Sequence, residues 1–251
     1  MTALLEASGI SRRFGGIVAL ADVDIEVAEG DAVALVGPNG AGKTTLFDCL
    51  NGVQRPDSGE VTFAGERIDG LSVHARARLG IARTFQRVEL FAGMTVRDHL
   101  ACAERVHRGD GRLWRDLVGR SRASEKVATV EQLLGELGLS ELADAPIESL
   151  TLGQGRLVEL GRALVQEPRL LLLDEPSSGL DPGETAGVAE VLHALQRDRE
   201  TAILLVEHDL ELVRAVARHV YVLDFGKVIA TGEVEPVLAD PAVRRAYLGD
   251  L

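Results

Sequence analysis

Hydrophobic and polar residues alternate at residues 4–10 and 22–28, which predicts two strands of an antiparallel sheet buried on one face. AVALVG at 32–37 is apolar without interruption, as expected for a strand covered on both faces. A glycine-rich turn follows, and TTLFDCLNG then predicts a helix that ends at Gly52. The first fifth of the chain therefore predicts a mixture of exposed and fully buried strands.

The pattern becomes helical between about residues 88 and 150. Before that point, a turn at 55–60 leads to two short predicted strands, VTFAG and IARTFQ. VRDHLACAERV and RASEKVATVEQLLGELGL then have helical spacing, and a polar stretch rich in Gly and Arg at 107–122 separates them. A further helix is predicted for LVELGRALV, at 157–165.

Strands and helices alternate again after Pro168. The predicted strands are RLLLLD, TAILLVEHD and VYVLDFG, and the predicted helices are GETAGVAEVLHALQRD and LELVRAVARH. Apolar strands that alternate with helices predict a largely parallel sheet. The sequence therefore predicts an α/β fold with an antiparallel β part and an inserted helical segment.

Composition narrows the possible functions. The chain has 251 residues, of which 46% are hydrophobic, enough for a substantial core. Its net charge of −12 argues against nucleic acid as a partner, since nucleic-acid backbones are bound by clustered Lys and Arg. Cys49 and Cys102 are expected to be reduced, packed thiols. The N-terminus predicts no signal peptide, and no apolar run approaches the ~18 residues of a membrane span.

GPNGAGKTT lies between a predicted strand and a predicted helix, which is the context of a phosphate-binding loop. The glycines let backbone N–H groups surround phosphate oxygens, and the helix directs its positive end at the same place. Lys43 would neutralise the β- and γ-phosphates, and the Thr44 hydroxyl would ligate Mg²⁺. The predicted ATP-binding residues of this loop are Gly37, Pro38, Asn39, Gly40, Ala41, Gly42, Lys43, Thr44 and Thr45.

LLLLDEP places two acids at the end of a predicted buried strand, where open α/β sheets bind ligands. Asp174 would hold Mg²⁺ through its water shell, and Glu175 would act as general base on the attacking water. Alone, such a pair would be an ordinary solvated strand end. The phosphate loop in the same chain favours the catalytic interpretation.

Several single residues and one short turn could belong to the same nucleotide site as these two motifs. Gln86 ends a predicted strand, where the helical insert begins, and could reach Mg²⁺ or water. His208 in VEHD could donate to the γ-phosphate. Phe14 could stack on a base, and SSGLD reads as a polar turn that could meet a partner. Alone, each would more often be a surface or core residue.

LTLGQGR is an unusual way to open a helix, because Gly costs roughly 1 kcal/mol relative to Ala in a helix interior. Together with GPNGAGKT, Gln86, LLLLDEP, SSGLD and VEHD, in this order, it resembles the ATP-binding-cassette (ABC) family over nearly the whole chain. The resemblance implies a P-loop NTPase with a RecA-like core, an antiparallel β subdomain and an inserted helical subdomain. It also implies ATP and Mg²⁺ as ligands.

The resemblance implies further roles for single residues. Phe14 would stack on adenine, Gln86 would join the core to the helical subdomain, and His208 would be the switch histidine. The signature residues would face ATP held by a second ABC ATPase subunit, and a turn would face the dimer partner. The signature residues are Thr151, Gly153 and Gln154, and the turn residue is Asp181.

The signature departs from the usual pattern of the family. Thr151 replaces the usual Ser, Leu152 replaces a Gly, and Gly155 stands where a polar residue is more usual. The hydroxyl survives at residue 151, so a γ-phosphate contact from this position stays possible. Gly153 would offer a bare N–H at a helix N-terminus to that phosphate.

A closer resemblance is to ATPase subunits of branched-chain amino-acid importers, through GIARTFQRVELFAGMTVRDHL, YVLDFGKVIATG and DPAVRRAYLGD. It implies one domain over 1–251, in which 1–86 and 157–251 form the core and about 87–156 the helical signature subdomain. It also implies two membrane permease subunits, an indirect link to an extracytoplasmic solute-binding protein, and a place at the cytoplasmic face of the membrane.

Other functions stay open at this point. An ABC importer ATPase for another small polar solute, such as urea or amides, would have the same motifs. A soluble ABC-type ATPase is a second alternative, although the chain has neither a long coiled-coil insert nor two cassettes. A degenerate module without turnover conflicts with the presence of Lys43, Asp174, Glu175 and His208.

Overall fold

The structure is a computed structural model that describes residues 3–84, 90–107 and 129–248. In these ranges it has ten strands and nine α-helices. The strands are β1 (Ala3–Phe14), β2 (Ile17–Ala28), β3 (Ala32–Val36), β4 (Ser58–Phe63), β5 (Glu66–Arg67), β6 (Ile81–Arg83), β7 (Leu170–Asp174), β8 (Ala202–Val206), β9 (His219–Asp224) and β10 (Lys227–Glu233). The helices are α1 (Lys43–Asn51), α2 (Val73–Arg78), α3 (Val96–His107), α4 (Val130–Glu136), α5 (Leu152–Leu164), α6 (Pro182–Arg199), α7 (Leu210–Val216), α8 (Val234–Ala239) and α9 (Pro241–Leu248).

The N-terminal strands form an antiparallel sheet, as their alternating pattern predicts. Among the described residues its strand order is β2-β1-β4-β5. β1 and β2 are a hairpin in which Phe14 pairs with Ile17, and both strands are longer than the predicted 4–10 and 22–28. β4 begins at Ser58, inside the predicted turn, because its first residues pair with β1.

A second sheet forms the centre of the molecule. Its order within the described ranges is β10-β9-β3-β8-β7-β6, with parallel pairing from β9 to β6 and β10 antiparallel at one edge. Every residue of β3, β7 and β8 is buried, which confirms the expectation from their continuous apolar runs. This order places the ends of β3, β8 and β7 side by side.

Side chains from the two faces of the central sheet belong to two apolar cores. Val33 and Leu35 of β3 pack with Phe47 of α1 and the antiparallel sheet. The neighbouring residues Ala34 and Val36 point to the opposite core, which contains residues of α3, α5, α6 and α7. Period-two alternation along a doubly covered strand explains how one apolar segment serves both cores.

Helices α3, α4 and α5 pack together between β6 and β7 in the chain. Gly161 of α5 permits this contact, since a Cβ atom there would lie 2.7 Å from Leu137 Cδ1 and 2.8 Å from Leu100 Cδ2. The helices have the place in the chain expected for the helical insertion. Among the described residues, no helix is both long and apolar enough to cross a membrane.

Several predicted boundaries were wrong. α5 begins at Leu152, five residues before the predicted start, and α7 ends at Val216 because β9 already begins at His219. α4 begins at Val130 within the predicted helix at 122–139, whose first residues lie outside the described ranges. Cys49 is buried and free as expected, whereas Cys102 is exposed on α3, which corrects the expectation of a packed thiol.

Candidate active site

A glycine-rich loop connects β3 to α1 and lies close to two other strands. A Cβ atom on Gly37 would lie 2.0 Å from the carbonyl oxygen of Leu223, and one on Gly42 would lie 2.5 Å from that of Ala19. Both glycines also have positive φ, +149° and +106°, which side chains disfavour. The Ala41 carbonyl accepts a hydrogen bond of 2.9 Å from the Gly226 N–H. The loop therefore has a fixed course that requires glycine.

The start of α1 suits an anion. Its N-cap is Gly42, and no side chain caps the helix in the described part of the chain, so its first N–H groups face the loop. Such N–H groups and the positive end of the helix dipole attract phosphate. Asn39, Gly40 and Thr44 are exposed here, and Thr45 is half-buried. The loop and the helix start thus offer backbone N–H groups and accessible side chains to a phosphate group.

Lys43 is buried at the first position of α1. Its Nζ donates to the carbonyl oxygens of Gly37, at 2.5 Å, and Pro38, at 3.0 Å. Burial lowers the pKa of Lys43, and the nearby carboxylates of Glu175 and Asp174 oppose this shift. Loop carbonyls and acids thus hold the ammonium group beside the uncapped helix end, where a phosphate would be bound.

Asp174 ends β7 and is 5% exposed. Its Oδ2 accepts a hydrogen bond of 3.0 Å from Nη2 of Arg83, whose Nη1 donates to Asp48 Oδ1 at 2.7 Å. Burial raises the pKa of Asp174, and the Arg83 hydrogen bond acts in the opposite direction. The guanidinium also lies over the Phe47 ring, 5.0 Å from its centroid. Arg83 therefore joins the end of β7 to α1.

Glu175 follows in a strained conformation. Its φ is +49°, in the left-handed region, which commonly costs about 1–3 kcal/mol for a residue other than glycine. Its N–H donates to the Val206 carbonyl at 2.9 Å, and its own carbonyl accepts from the Ser178 N–H at 3.1 Å. Neighbouring backbone thus holds Glu175 where β7 ends, near Lys43.

The structure places the remaining predicted site residues at different distances from the phosphate loop along the chain. His208 follows β8, which lies between β3 and β7, and its side chain is 57% exposed. Phe14 ends β1 with 43% exposure, and the Arg12 guanidinium carbon lies 4.9 Å from its ring centroid. The same hairpin touches the phosphate loop through Ala19. Gln86 lies outside the described residues.

The predicted signature starts α5 with a capping box. Thr151 Oγ1 accepts from the Gln154 N–H at 3.2 Å, and Gln154 Oε1 accepts from the Thr151 N–H at 3.0 Å. These reciprocal bonds stabilise the first turn, which explains why the helix begins before the predicted apolar run despite its glycines.

The Gly153 N–H is engaged within the chain. It donates to Glu184 Oε1 at 3.2 Å, and a Cβ atom on Gly153 would lie 2.9 Å from Glu184 Cδ. Asp181 caps α6 by accepting from the Glu184 N–H at 2.9 Å, while Glu184 Oε2 accepts from the Asp181 N–H at 3.3 Å. In the single subunit, glycine at 153 therefore leaves room for the Glu184 carboxylate, a role that was not predicted from the sequence.

Arg83 and Glu207 are two further residues of the site that were not predicted from the sequence. Arg83 is a cation at the end of a short apolar strand, β6, which pairs with β7. A cation at such a strand end was the one sequence signal that could have identified it as a partner of the acids in LLLLDEP. Glu207 belongs to the VEHD motif, in which only His208 was predicted to act. Glu207 has no exposed surface and accepts hydrogen bonds from two loops. No periodicity argument identifies such partners, because they come from distant parts of the chain.

The arrangement can bind a nucleoside triphosphate. A glycine loop, an uncapped helix end and a buried lysine supply positive potential, and two acids stand at the end of β7, which β8 separates from β3. Backbone N–H groups and a lysine are typical ligands of phosphate, and carboxylates are the ligands that hard divalent cations prefer. A carboxylate beside a phosphate could also act as a base toward water. The geometry therefore agrees with phosphoryl chemistry.

Comparisons with known proteins identify the family. The sequence profile described as "ABC transporter" matches residues 20–178, more than half of the chain. The branched-chain amino acid transport ATP-binding protein BraF of Pseudomonas aeruginosa is 38% identical over 250 residues, covering 98% of each chain. LivG of Salmonella typhimurium, which has the same description, is 39% identical with the same coverage.

Solved structures have the same fold. The ADP conformation of MJ1267, described as an ATP-binding cassette of an ABC transporter, superposes with a TM-score of 0.85 and 32% identity, and each chain is covered completely. This agreement confirms the expected P-loop NTPase fold. The chain therefore belongs to the ABC transporter family, as an ATP-hydrolysing subunit that energises transport.

Proposed function

We propose that this chain energises the import of branched-chain amino acids, from the cytoplasmic face of a membrane. The observation that carries the proposal is its 38–39% identity, over almost the full length, to ATP-binding proteins named for this transport. The phosphate loop and the acids at the end of β7 support turnover over a role as an inactive binding module.

In the proposed mechanism, loop N–H groups and Lys43 bind the phosphates of ATP, and Phe14 stacks on its base. Thr44, Asp174 and Gln86 would hold Mg²⁺, consistent with the exposed hydroxyl and the buried carboxylate. When bound, Mg²⁺ neutralises phosphate charge.

Glu175 accepts the proton of the attacking water, and His208 donates a hydrogen bond to the γ-phosphate. The backbone bonds of Glu175 hold its main chain in position before the substrate arrives. The His208 side chain is 57% exposed, with its Nδ1 3.8 Å from Glu207 Oε2, so the ring is accessible to a nucleotide.

Two subunits, identical or homologous, would complete each site. Thr151, Gly153 and Gln154 would face the ATP of the partner subunit, and Asp181 would lie in the turn between subunits. Because Gly153 N–H donates to Glu184 within the free chain, this carboxylate must turn away before the N–H can meet phosphate. ATP would then favour the joined dimer, and hydrolysis would weaken it.

The proposed partners are two permease subunits, with a solute-binding protein acting through them and no nucleic acid. The helical signature subdomain, about 87–156, would contact the permease near residues 87–100 and transmit motion to it. Phe91 supports this location, because its ring is 59% exposed and stacks on His99 at the start of the helical segment. The core would comprise 1–86 and 157–251.

The test is co-purification with membrane proteins, followed by assay of the assembled complex in lipid vesicles. Leucine, isoleucine or valine, supplied with the solute-binding protein, should stimulate ATP hydrolysis and accumulate inside the vesicles. Urea and short amides are the matched comparison. Stimulation by these solutes alone would replace the proposed substrate class, and a chain that never associates with membrane proteins would overturn the transport proposal.

A further inference from the structure

Glu207 is a completely buried carboxylate that follows β8. Its Oε1 accepts hydrogen bonds from the N–H and the hydroxyl of Ser177, at 2.9 and 2.8 Å. Its Oε2 accepts from the N–H groups of His208, at 2.9 Å, and Asp209, at 3.1 Å. An ionised carboxylate has about four acceptor sites, and these four hydrogen bonds occupy all of them. Glu207 is therefore a buried acceptor that joins several donors, and not a surface acid.

The four donors belong to two loops that carry proposed catalytic groups. Ser177 stands two residues after Glu175 in the turn that follows β7, and His208 is itself a donor. The backbone reinforces the link, because the Glu175 N–H donates to the carbonyl of Val206, the residue before Glu207. The Glu207 N–H in turn donates to the Leu35 carbonyl of β3, 3.2 Å away, just before the phosphate loop.

We infer that Glu207 is a positioning residue that fixes Glu175 and His208 relative to each other. The inference rests on the proposed roles of those two residues. Through Ser177, the carboxylate restrains the turn that presents Glu175, and through the His208 and Asp209 N–H groups it restrains the start of the loop after β8. A change in either loop therefore alters the support of the other.

A carboxylate is needed at residue 207 because all four neighbouring groups donate hydrogen bonds to it, two to each oxygen. In Glu207→Gln, one oxygen becomes an NH₂ group, which must face N–H donors of one loop or the other. A buried donor without an acceptor is costly, so one loop should move away. A displacement of about 1 Å in a catalytic group can reduce the rate by about 10²-fold. Nucleotide binding uses the loop at 37–45 and should change much less.

The experiment compares Glu207→Gln with Glu211→Gln in the full chain. Glu211 is exposed at the start of α7, so its substitution makes the same change in charge without removing any hydrogen bond to the Glu207 carboxylate. We expect kcat for MgATP to fall by about ten- to a hundredfold in Glu207→Gln while KM for ATP stays within about twofold, as for a misplaced catalytic group. Glu211→Gln should match the parent chain.

Hydrogen exchange gives a readout that is independent of turnover. In Glu207→Gln without nucleotide, the amides of Ser177, His208 and Asp209 should exchange faster than in the parent, whereas the Leu35–Glu207 bond should stay protected. Unchanged exchange at these amides, an unchanged kcat, or a loss of ATP affinity that accounts for the lower rate would each overturn the inference.

Ser177→Ala covers the case in which Glu207→Gln does not fold, because it removes one of the four bonds and keeps the carboxylate. A folded Ser177→Ala chain should show a lower kcat with unchanged KM, and parental kinetics would overturn the inference.

Glu175→Gln separates the two proposals. Normal turnover in that variant would refute the catalytic assignment itself, whereas an inactive Glu175→Gln beside a normal Ser177→Ala or Glu207→Gln would refute only the role of Glu207.

Discussion

Arg83→Met should destabilise the fold and leave Asp174 without its charged partner. The Arg83 side chain is 11% exposed, and the side chains of its partners Asp174 and Asp48 are 6% and 16% exposed. Methionine keeps much of the apolar length of the side chain, but it loses the guanidinium that lies over Phe47 and donates no hydrogen bond. The substitution therefore leaves two largely desolvated carboxylates with no guanidinium between them.

The magnitude follows from this burial. Removing one partner of a buried ion pair costs about 3–5 kcal/mol, and because Asp48 keeps some solvent contact we expect about 3 kcal/mol. For a chain of this size, that corresponds to a fall in Tm of roughly 6–12 °C.

The cost should depend on pH. Burial already raises the pKa of Asp174, and without Arg83 that pKa should rise further in the folded state. A carboxyl with a raised folded pKa favours folding only while it is protonated, so the deficit should be smallest in acid and grow as pH rises.

Thermal unfolding at pH 5 and pH 8 tests these expectations. Arg199→Met is the matched control, because Arg199 pairs with Glu136 at 2.7 Å but that glutamate is 41% exposed, and an exposed pair contributes about 0–1 kcal/mol. Arg83→Met should melt well below this control, with the larger gap at pH 8. Equal melting of the two variants, or an equal gap at both pH values, would refute the reasoning.

Three further predictions concern single side chains. Lys43→Ala should keep the fold but weaken ATP binding by about 10- to 100-fold, the loss of one charge-assisted interaction, and unchanged affinity in a calorimetric titration would contradict the site. Gly153→Asp should spare ATP binding to its own loop but abolish hydrolysis, with some loss of Tm because its carboxylate would meet Glu184; parental turnover would rule out the role in trans. At pH 8, maleimide should label the exposed Cys102 and not the buried Cys49, since burial raises the pKa of Cys49 to about 11. Mass spectrometry of labelled native and urea-unfolded protein checks this, and rapid labelling of Cys49 in the native protein would contradict it.

The hydrophobic pattern of the sequence predicted the fold because the two kinds of strand differ clearly: strands of the antiparallel sheet are buried on one face, and the central strands on both. Continuous apolar runs identified the central strands, and the Gly-rich segment between β3 and α1 identified the phosphate loop. Boundaries were less accurate where caps decide them. The Thr151–Gln154 capping box begins α5 before its apolar run, and its T-x-x-Q spacing is present in the sequence although the prediction did not use it.

The supporting contacts of the site could not be predicted in the same way. Arg83 meets Asp174 across 91 positions in the chain, and Glu207 meets Ser177 across 30. Such pairs depend on strand order, which a single sequence does not specify. Motifs therefore located the groups proposed for chemistry, whereas the groups that hold them required the structure.

Glu175→Gln tests the central claim, ATP hydrolysis by a dimer that uses this acid as its general base, most directly. The variant keeps the phosphate loop but cannot accept a proton, so turnover should fall by about 10²–10⁴-fold. Size-exclusion chromatography of this variant with MgATP should show a persistent dimer, and Lys43→Ala should stay monomeric under the same conditions. Hydrolysis at the parental rate by Glu175→Gln would contradict the account.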